Sequence, residues 1–253
     1  MDIYKIIVVS NTALQENVFL LKCLSSEIAS KILPGQFCNI KVSESDFPLL
    51  RRPFSICDVE GDYISFMYEV HGEGTKLLSH KKEGDLIDLI GPLGKGFNYK
   101  SEYETAIFIS GGIGVAPFPY LTRSLDGSIP YKIFLGGRTE NQIHTYGLHN
   151  YEISTDDGSM GYKGNVVQLF EKHIPLLDKS KIKVFGCGPN PMLRALKELC
   201  LLHEINCEVS VECAMACGFG ICQGCPIEKA EESDKYYLVC KDGPVFNIKD
   251  VVI

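Results

Sequence analysis

The chain has 253 residues with a formal net charge of −7 at pH 7, and 45% of its residues are hydrophobic. This length and composition exclude a disordered chain and allow two domains plus a small appendage. The negative charge, without a long run of Lys and Arg, argues against nucleic acid as a partner, and no apolar run reaches the length of a membrane span. The chain has eleven cysteines, an odd number, and Met1–Lys5 does not begin a signal peptide. Reduced thiols and a cytoplasmic location are therefore expected.

The first 98 residues predict an antiparallel β-barrel. Their apolar segments are short and are broken by turn residues such as Pro34–Gly35, Glu60–Gly61 and Gly91–Pro92. The predicted strands cover Ile6–Val9, Val18–Cys23, Gln36–Val42, Tyr63–Val70 and Asp85–Ile90.

Residues 99–205 have the pattern of a doubly wound α/β domain, in which apolar strands alternate with helical stretches. Strands are predicted at Ala106–Ser110, Lys132–Leu135 and Lys183–Phe185, and helices near Val115–Leu125, Val166–Lys172 and Pro191–His203. Residues 206–253 are then a small C-terminal appendage, which is too short to be stable without bound metal.

Four cysteines of the appendage have the spacing of a plant-type [2Fe-2S] site, C-x4-C-x2-C followed by a distant fourth. They are Cys217, Cys222, Cys225 and Cys240. The glycines between them suit a loop whose backbone N–H groups turn toward cluster sulfurs. Four thiolates would also suit a structural zinc ion, although zinc ribbons usually pair two short knuckles. Unliganded thiols are the remaining alternative.

Two segments of the predicted barrel could hold a phosphorylated planar ligand. The first is Arg52, Pro53, Phe54 and Ser55, which offers a guanidinium fork and a hydroxyl donor. The second contains Gly74 and Thr75 at the start of an apolar helical stretch, where free N–H groups favour a pyrophosphate. An ordinary barrel strand and an ordinary capped helix are the alternatives.

Two glycine turns of the α/β domain predict a dinucleotide site, because each follows a strand and precedes a helix. The first contains Gly111, Gly112 and Gly114, and the second contains Gly186, Cys187, Gly188 and Pro189. The third glycine of the usual fingerprint is missing, so each turn alone could be a plain strand-to-helix connection. Together they indicate one crevice at the carboxyl ends of the strands.

A pair of carboxylates, Asp156 and Asp157, follows another strand of the same domain. Such a pair would accept hydrogen bonds from ribose hydroxyls and repel a 2′-phosphate, which favours NAD over NADP. A solvated turn is the alternative.

The chain resembles the ferredoxin-reductase superfamily, and most closely the electron-transfer subunits of the two-subunit, NAD-linked class 1B dihydroorotate dehydrogenases. The resemblance spans nearly the whole chain and rests on Leu50–Ser55, Gly91–Phe97, Gly111–Pro117, Thr155–Ser159, Met215–Gly218 and Val239–Phe246.

The resemblance implies three cofactor units: an FAD-binding barrel (1–98), an NAD-binding domain (99–205) and a [2Fe-2S] domain (206–253). FAD would be contacted by Arg52 to Ser55, by Met67, Tyr68 and Glu69, and by Gly74 and Thr75. NAD would lie across the two glycine turns, with Cys187 near the nicotinamide, although that thiol could equally be a buried strand-end residue. Glu69 departs from the pattern, because some relatives carry a basic residue there, and Cys213 is interpreted as a bystander to the cluster.

The resemblance also implies a function in pyrimidine biosynthesis. An FMN-containing catalytic subunit would oxidise dihydroorotate, and electrons would pass through the cluster and FAD to NAD+, in a heterotetramer with two copies of each subunit. FAD would link the one-electron cluster to the two-electron nicotinamide. No acid–base catalytic residue is assigned. The alternatives are a flavin and iron-sulfur subunit of another NAD(P)-linked complex, such as a ferredoxin:NADP transhydrogenase or a sulfhydrogenase, and a non-catalytic redox or metal sensor.

Overall fold

Residues 2–43, 45, 47–232 and 234–253 are described by the computed structural model of the chain. The first sheet contains β1 (Asp2–Gln15), β2 (Val18–Leu24), β3 (Phe37–Lys41), β4 (Arg52–Ser55), β5 (Asp58–Glu60), β6 (Tyr63–Glu69) and β7 (Leu86–Leu93), and its connections carry α1 (Ser26–Ala29) and α2 (Glu73–Ser79). All neighbouring strands are antiparallel, in the spatial order β4-β3-β7-β1-β2-β6-β5. The predicted antiparallel barrel is confirmed as a half-barrel sheet.

Strand β1 is much longer than the predicted Ile6–Val9, because it serves two neighbours in turn. Its first part pairs with β7 from Asp2 to Ile7, and its second part pairs with β2 from Ile7 to Gln15. The second part is not predicted because the polar residues Ser10–Thr12 interrupt the apolar pattern on which the prediction depends.

The second sheet has the spatial order β11-β10-β9-β8-β12-β13-β16, and all its pairs are parallel except the last. The remaining elements are β8 (Thr105–Gly111), α3 (Phe118–Ser124), β9 (Tyr131–Gly137), β10 (Tyr151–Thr155), β11 (Tyr162–Lys163), α4 (Val166–His173), β12 (Ile182–Cys187), α5 (Asn190–Leu202), β13 (Asn206–Ser210), β14 (Pro226–Glu228), β15 (Tyr236–Leu238), α6 (Val239–Asp242) and β16 (Val245–Asn247). Short 3-10 turns cover Gly112–Val115, Glu140–Gln142 and Ile174–Leu176.

The parallel sheet is doubly wound, as predicted. Helix α3 packs on one face, where its Phe118 and Leu121 share a core with Met67 and Phe97, which precede the sheet. Helices α4 and α5 cover the other face. The strand order reverses at β8, and in such sheets ligands bind in the crevice at that reversal. Helix α3 begins later than predicted because Pro117, which has no N–H to donate, separates it from the preceding 3-10 turn.

The last part of the chain is held at both ends by the parallel sheet. Strands β13 and β16 pair with each other, and Val211 N donates to Pro244 O at 3.0 Å. Between them lie the cysteine loop, the β14–β15 hairpin and α6. The division into units at residues 98 and 205 stays a prediction. Within the described ranges, no helix combines the length and the apolar character needed to cross a membrane.

Candidate cofactor-binding site

The four predicted ligand cysteines make contacts two by two, and among the described residues no three such side chains form one compact metal-binding group. In the inner pair, the Sγ atoms of Cys225 and Cys240 are 3.1 Å apart. In the outer pair, the backbone N–H of Cys222 donates to Cys217 Sγ at 3.5 Å. A [2Fe-2S] cluster binds two thiolates on each iron, so a two-plus-two arrangement fits its ligand demand.

Backbone donors converge on the outer pair. Desolvation opposes ionisation of Cys217, but the N–H groups of Cys222, Phe219 and Ile221 outweigh it and lower the pKa of that thiol to about 6. The loop can turn its N–H groups inward because Gly218 and Gly220 have φ angles of +81° and +91°, which L side chains rarely adopt. The loop therefore favours a thiolate before any metal binds.

The two pairs differ in exposure. Cys225 and Cys240 are buried in the same core as Val239 and Phe246, and burial raises the pKa of Cys240 to about 12. Cys222 is exposed, and the neighbouring Ile221 is 77% exposed. One half of the site thus faces the protein interior, and the other half faces the surface.

Cys213 lies closer to this group than its sequence position suggests. Burial raises the pKa of its thiol to about 12, and the second cause is the charge of the neighbouring Cys225. Its interpretation as a bystander stays a prediction.

In the barrel, the two predicted flavin segments meet. A Cβ added to Gly74 at the start of α2 would lie 3.0 Å from Arg52 Nε, so the guanidinium lies closely against this turn. Thr75 Oγ1 accepts the N–H of His71 at 2.8 Å and donates to Gly72 O, which closes the turn.

The aromatic side chains of these segments point elsewhere. Phe54 and Tyr68 lie in the barrel core with ring centroids 5.6 Å apart, and Tyr68 OH donates to Asn11 Oδ1 at 3.0 Å. Only their backbone can face a flavin. Pro53 and Ser55 lie on the opposite face of β4 and are half-buried, so they are the members of this strand whose side chains remain available.

The side chains of Met67 and Glu69 lie on the face of β6 opposite to that of Tyr68. Met67 is buried in the core between the two sheets. Glu69 is exposed and lines a cleft of about 430 Å³, together with Gln15, Glu16, Asn17, Glu140, Asn141, Gln142 and Met160. This cleft lies between the half-barrel and the α/β domain, and three of its lining residues, Glu16, Glu69 and Glu140, carry carboxylates.

The two glycine turns of the α/β domain come into direct contact, as the sequence predicts for one crevice. A Cβ at Gly114 would lie 2.5 Å from Cys187 O, and one at Gly188 would lie 3.0 Å from Gly111 N. Cys187 ends β12 with its thiol partly exposed, and desolvation raises its pKa to about 12. Gly186 packs against Leu196, and a Cβ at Gly111 would contact Pro189 at 2.9 Å. Gly112 has a φ of +54° and open space beside it.

The carboxylates Asp156 and Asp157 lie beyond the end of β10, and both are exposed. Asp157 Oδ1 accepts hydrogen bonds from Ser159 Oγ at 2.7 Å and from Ser159 N at 2.9 Å. The hydroxyl and then the N–H lower the pKa of this carboxyl, so Asp157 is ionised at neutral pH. Ser159 Oγ also accepts the N–H of Glu140, which joins this turn to the wall of the cleft.

Sequence reasoning missed a residue that connects the barrel to the cysteine loop. Asn39 on β3 is fully buried, and its Nδ2 donates to Cys217 O at 3.2 Å. A Cβ on the next loop residue, Gly218, would overlap Asn39 Nδ2. The signal in the sequence is weak: an amide between Cys38 and Ile40, in the middle of the apolar strand predicted at Gln36–Val42.

Comparisons with known proteins agree with this arrangement. Residues 212–252 match the model of the iron-sulfur cluster binding domain of dihydroorotate dehydrogenase B. The chain is 40% identical over 222 residues to the dihydroorotate dehydrogenase B (NAD(+)), electron transfer subunit, of Caldanaerobacter subterraneus subsp. tengcongensis, covering 87% of both chains. It is 36% identical to the subunit of that name from Bacillus pumilus, covering 97% of this chain and 96% of the relative.

Among solved structures, the chain is similar to one of an NADH-dependent reduced ferredoxin-NADP oxidoreductase that was studied for flavin-based electron bifurcation. The TM-score is 0.84 at 25% identity, and the match covers 98% of this chain and 89% of the other. The similarity extends over both sheets and the cysteine loop, and the identity to the curated relatives extends over nearly the full length. The chain therefore belongs to the family of dihydroorotate dehydrogenase B electron transfer subunits, and its residues 212–252 match the iron-sulfur cluster binding domain of that enzyme.

Proposed function

We propose that this chain passes electrons between a dihydroorotate dehydrogenase catalytic subunit and NAD+, through a [2Fe-2S] cluster held by Cys217, Cys222, Cys225 and Cys240, and through FAD. The arrangement of the four thiols as two pairs carries this proposal, because it supplies two ligands for each of two irons. A single zinc ion would need all four thiolates around one centre.

FAD fits the half-barrel, where Arg52 lies against the turn at Gly74 and can form a fork on a phosphate. Ser55 and the backbone of Met67 to Glu69 would hold the rest of the cofactor. When bound, FAD would accept a hydride from or return it to nicotinamide, and exchange single electrons with the cluster. The chain's own residues bind and orient the cofactors, and none of them is proposed to transfer a proton.

NAD fits the crevice formed by Gly111, Gly112 and Gly114 with Gly186, Cys187, Gly188 and Pro189. Ser110, the last residue before the first turn, is 1% exposed, and its Oγ has no hydrogen-bond partner among the described residues. A buried hydroxyl in this state fits a site where a ligand supplies the partner. The carboxylates of the adjoining cleft and of Asp156 and Asp157 favour NAD over NADP.

Replacing Asp157 with Ser is expected to raise the ratio of NADPH to NADH efficiency, as kcat/KM with a dye acceptor, by about tenfold, because a charge that repels the 2′-phosphate is removed. Asp178→Ser is a matched control. Asp178 is exposed, and its Oδ1 also accepts from a serine two residues later, at 2.7 and 3.2 Å. An equal ratio in both variants would contradict the assignment of Asp157 to the ribose.

The proposed partner is the FMN-containing catalytic subunit, in a heterotetramer with two copies of each chain, acting in the cytoplasm in pyrimidine biosynthesis. A cluster can pass electrons to another protein only if it lies near their shared surface. The exposed half of the site, around Cys222 and Ile221, supports docking there. The partner would meet an acidic surface, since residues 206–253 carry eight acidic and four basic side chains.

Replacing Ile221 with Glu is expected to weaken binding of the catalytic subunit about tenfold or more, since a charge would replace an apolar contact at the centre of the interface. Surface plasmon resonance with the catalytic subunit measures this change. Leu176→Glu is the control: Leu176 is 81% exposed and follows α4, which places it at the opposite end of the parallel sheet. Equal weakening by both substitutions, or by neither, would refute docking at the cluster.

A second candidate is the flavin and iron-sulfur subunit of another NAD(P)-linked complex. The similarity to the reduced ferredoxin-NADP oxidoreductase favours it. Co-purification from the source cell, followed by assay of dihydroorotate-dependent NAD+ reduction, separates the two. A partner without dihydroorotate activity would support this second candidate, and a visible spectrum without flavin and cluster bands would exclude both.

A further inference from the structure

Asn39 lies between the two redox sites that are proposed for this chain. It is directly opposite Pro53 in the β3–β4 pair, so the two side chains share one face of the sheet. Pro53 belongs to the flavin strand β4, and the Asn39 side chain reaches the backbone of the cluster ligand Cys217. This hydrogen bond directly connects the sheet that is proposed to bind the flavin with a proposed cysteine ligand of the cluster.

The stability of the barrel does not explain an amide at this position. Asn39 is 0% exposed, and its Oδ1 has no hydrogen-bond partner within the described ranges. A buried acceptor that is left unpaired destabilises a fold, whereas an apolar side chain of similar volume would avoid that cost. Its neighbours across the sheet, Pro53 and Ile90, are apolar. The amide is therefore unfavourable here unless its other end, Nδ2, performs a task.

The task of Nδ2 is visible in the peptide bond that it holds. Nδ2 donates to the carbonyl oxygen of Cys217, and in a trans peptide the N–H of the next residue, Gly218, points in the opposite direction. Holding the oxygen therefore fixes the plane of the Cys217–Gly218 peptide and directs the Gly218 N–H away from the barrel. The approach is so close that any side chain at Gly218 would overlap the amide.

A second contact limits where the loop can move. Lys95 N, just beyond β7, donates to Gly243 O at 2.5 Å, near the other end of the cysteine segment. Asn39 and Lys95 thus hold the segment against the barrel from two sides. Of these two contacts, only the one from Asn39 reaches a cluster ligand.

We infer that Asn39 is a positioning residue, which fixes the cluster loop against the flavin-bearing strand and sets the orientation of the Cys217–Gly218 peptide. The inference rests on the proposed function for the identity of the two cofactors. Its consequence is a fixed path between flavin and cluster. The cluster potential should also depend on this barrel residue, because hydrogen bonds to the sulfurs set the potential and the loop held by Asn39 presents the N–H of Cys222 to Cys217 Sγ.

The test is Asn39→Leu in the full chain, because leucine has the same number and branching of side-chain heavy atoms and removes the donor. Hydrogen exchange by mass spectrometry is measured on peptides that cover residues 215–224, with the cofactors bound and after iron has been removed by a chelator. We expect these amides to exchange about fivefold faster, which is the factor for one ordinary hydrogen bond. We also expect a lower midpoint potential of the cluster, and an unfolding temperature that does not fall.

Ser154→Ala is the matched control. Ser154 is also fully buried with an unpartnered Oγ, but it lies on β10 in the other sheet. This variant should leave both the loop exchange and the cluster potential at the wild-type values. Unchanged exchange of the loop in Asn39→Leu would overturn the inference, and so would faster exchange throughout the barrel with a lower unfolding temperature. A wild-type protein that binds neither iron nor flavin would instead overturn the proposed function. Even then, the amide exchange of residues 215–224 in the metal-free wild type and Asn39→Leu variant would decide whether Asn39 holds the loop.

Discussion

Replacing Cys222 with Ser is expected to abolish most electron flow to or from the partner while sparing the reaction between NADH and the flavin. Cys222 is an exposed member of the outer pair, and a hydroxyl is a poor substitute for a thiolate on iron. The flavin spectrum should remain and the cluster spectrum should fade. We expect dihydroorotate-driven NAD+ reduction, assayed with the catalytic subunit, to fall about a hundredfold, whereas NADH-driven dye reduction changes less than about threefold.

Both rates are measured on protein normalised to its flavin content. Cys200→Ser is the control, since Cys200 is a thiol on the buried face of α5 that is not among the proposed ligands. Equal loss of both rates in Cys222→Ser would mean that the cluster lies between NAD and the dye, or that it holds the flavin site together. Unchanged dihydroorotate-dependent reduction would remove the cluster from the path.

Replacing Gly114 with Ala is expected to impair the reaction with NADH, at the other end of the proposed electron path from the cluster. The added Cβ would lie 2.5 Å from Cys187 O, which is backbone and cannot move without separating the two turns of the crevice. We expect NADH-driven dye reduction to fall at least about tenfold, equivalent to about 1.4 kcal/mol of transition-state stabilisation. The flavin and cluster spectra should stay at wild-type intensity, because neither cofactor is proposed to lie in this crevice.

Gly127→Ala separates this effect from general destabilisation of the domain. Gly127 has a φ of +65° and nothing within 4 Å of an added Cβ, so the substitution strains the backbone without obstructing the crevice. A similar loss of NADH-dependent activity in both variants would argue against a dinucleotide at the paired glycine turns.

The features that the sequence predicts well are those encoded by neighbouring residues. The cysteine spacing from 217 to 225 and the glycine turn after β8 are local patterns, and Cys222 contacts Cys217 as such a short spacing leads one to expect. The strand-to-helix alternation of the α/β domain is equally local, since a buried parallel strand and an amphipathic helix have different periods. These patterns were sufficient to predict the type of both sheets, antiparallel and then parallel, but not all of their strands.

The features that the sequence does not predict depend on contacts between distant residues. Nothing near Asn39 indicates that its amide meets Cys217, 178 positions along the chain. The orientation of Phe54 and Tyr68 into the barrel core depends on the strand pairing, because a shift of one residue would reverse every side chain. The exposure of Ile221 likewise depends on where the loop lies on the folded surface.

The pairing of β13 with β16 has a consequence for how the protein acquires its iron. The ends of the cysteine segment are joined by ladder hydrogen bonds and by the contact from Val211 to Pro244, so the sheet closes this long loop whether or not metal is present. Bringing Cys217 and Cys240 close together has an entropic cost. Folding of the sheet then offsets most of this cost, so that metal binding does not have to. Cluster assembly can therefore follow folding of the sheet, and the predicted dependence of residues 206–253 on metal applies to the loop between β13 and β16 rather than to these two strands.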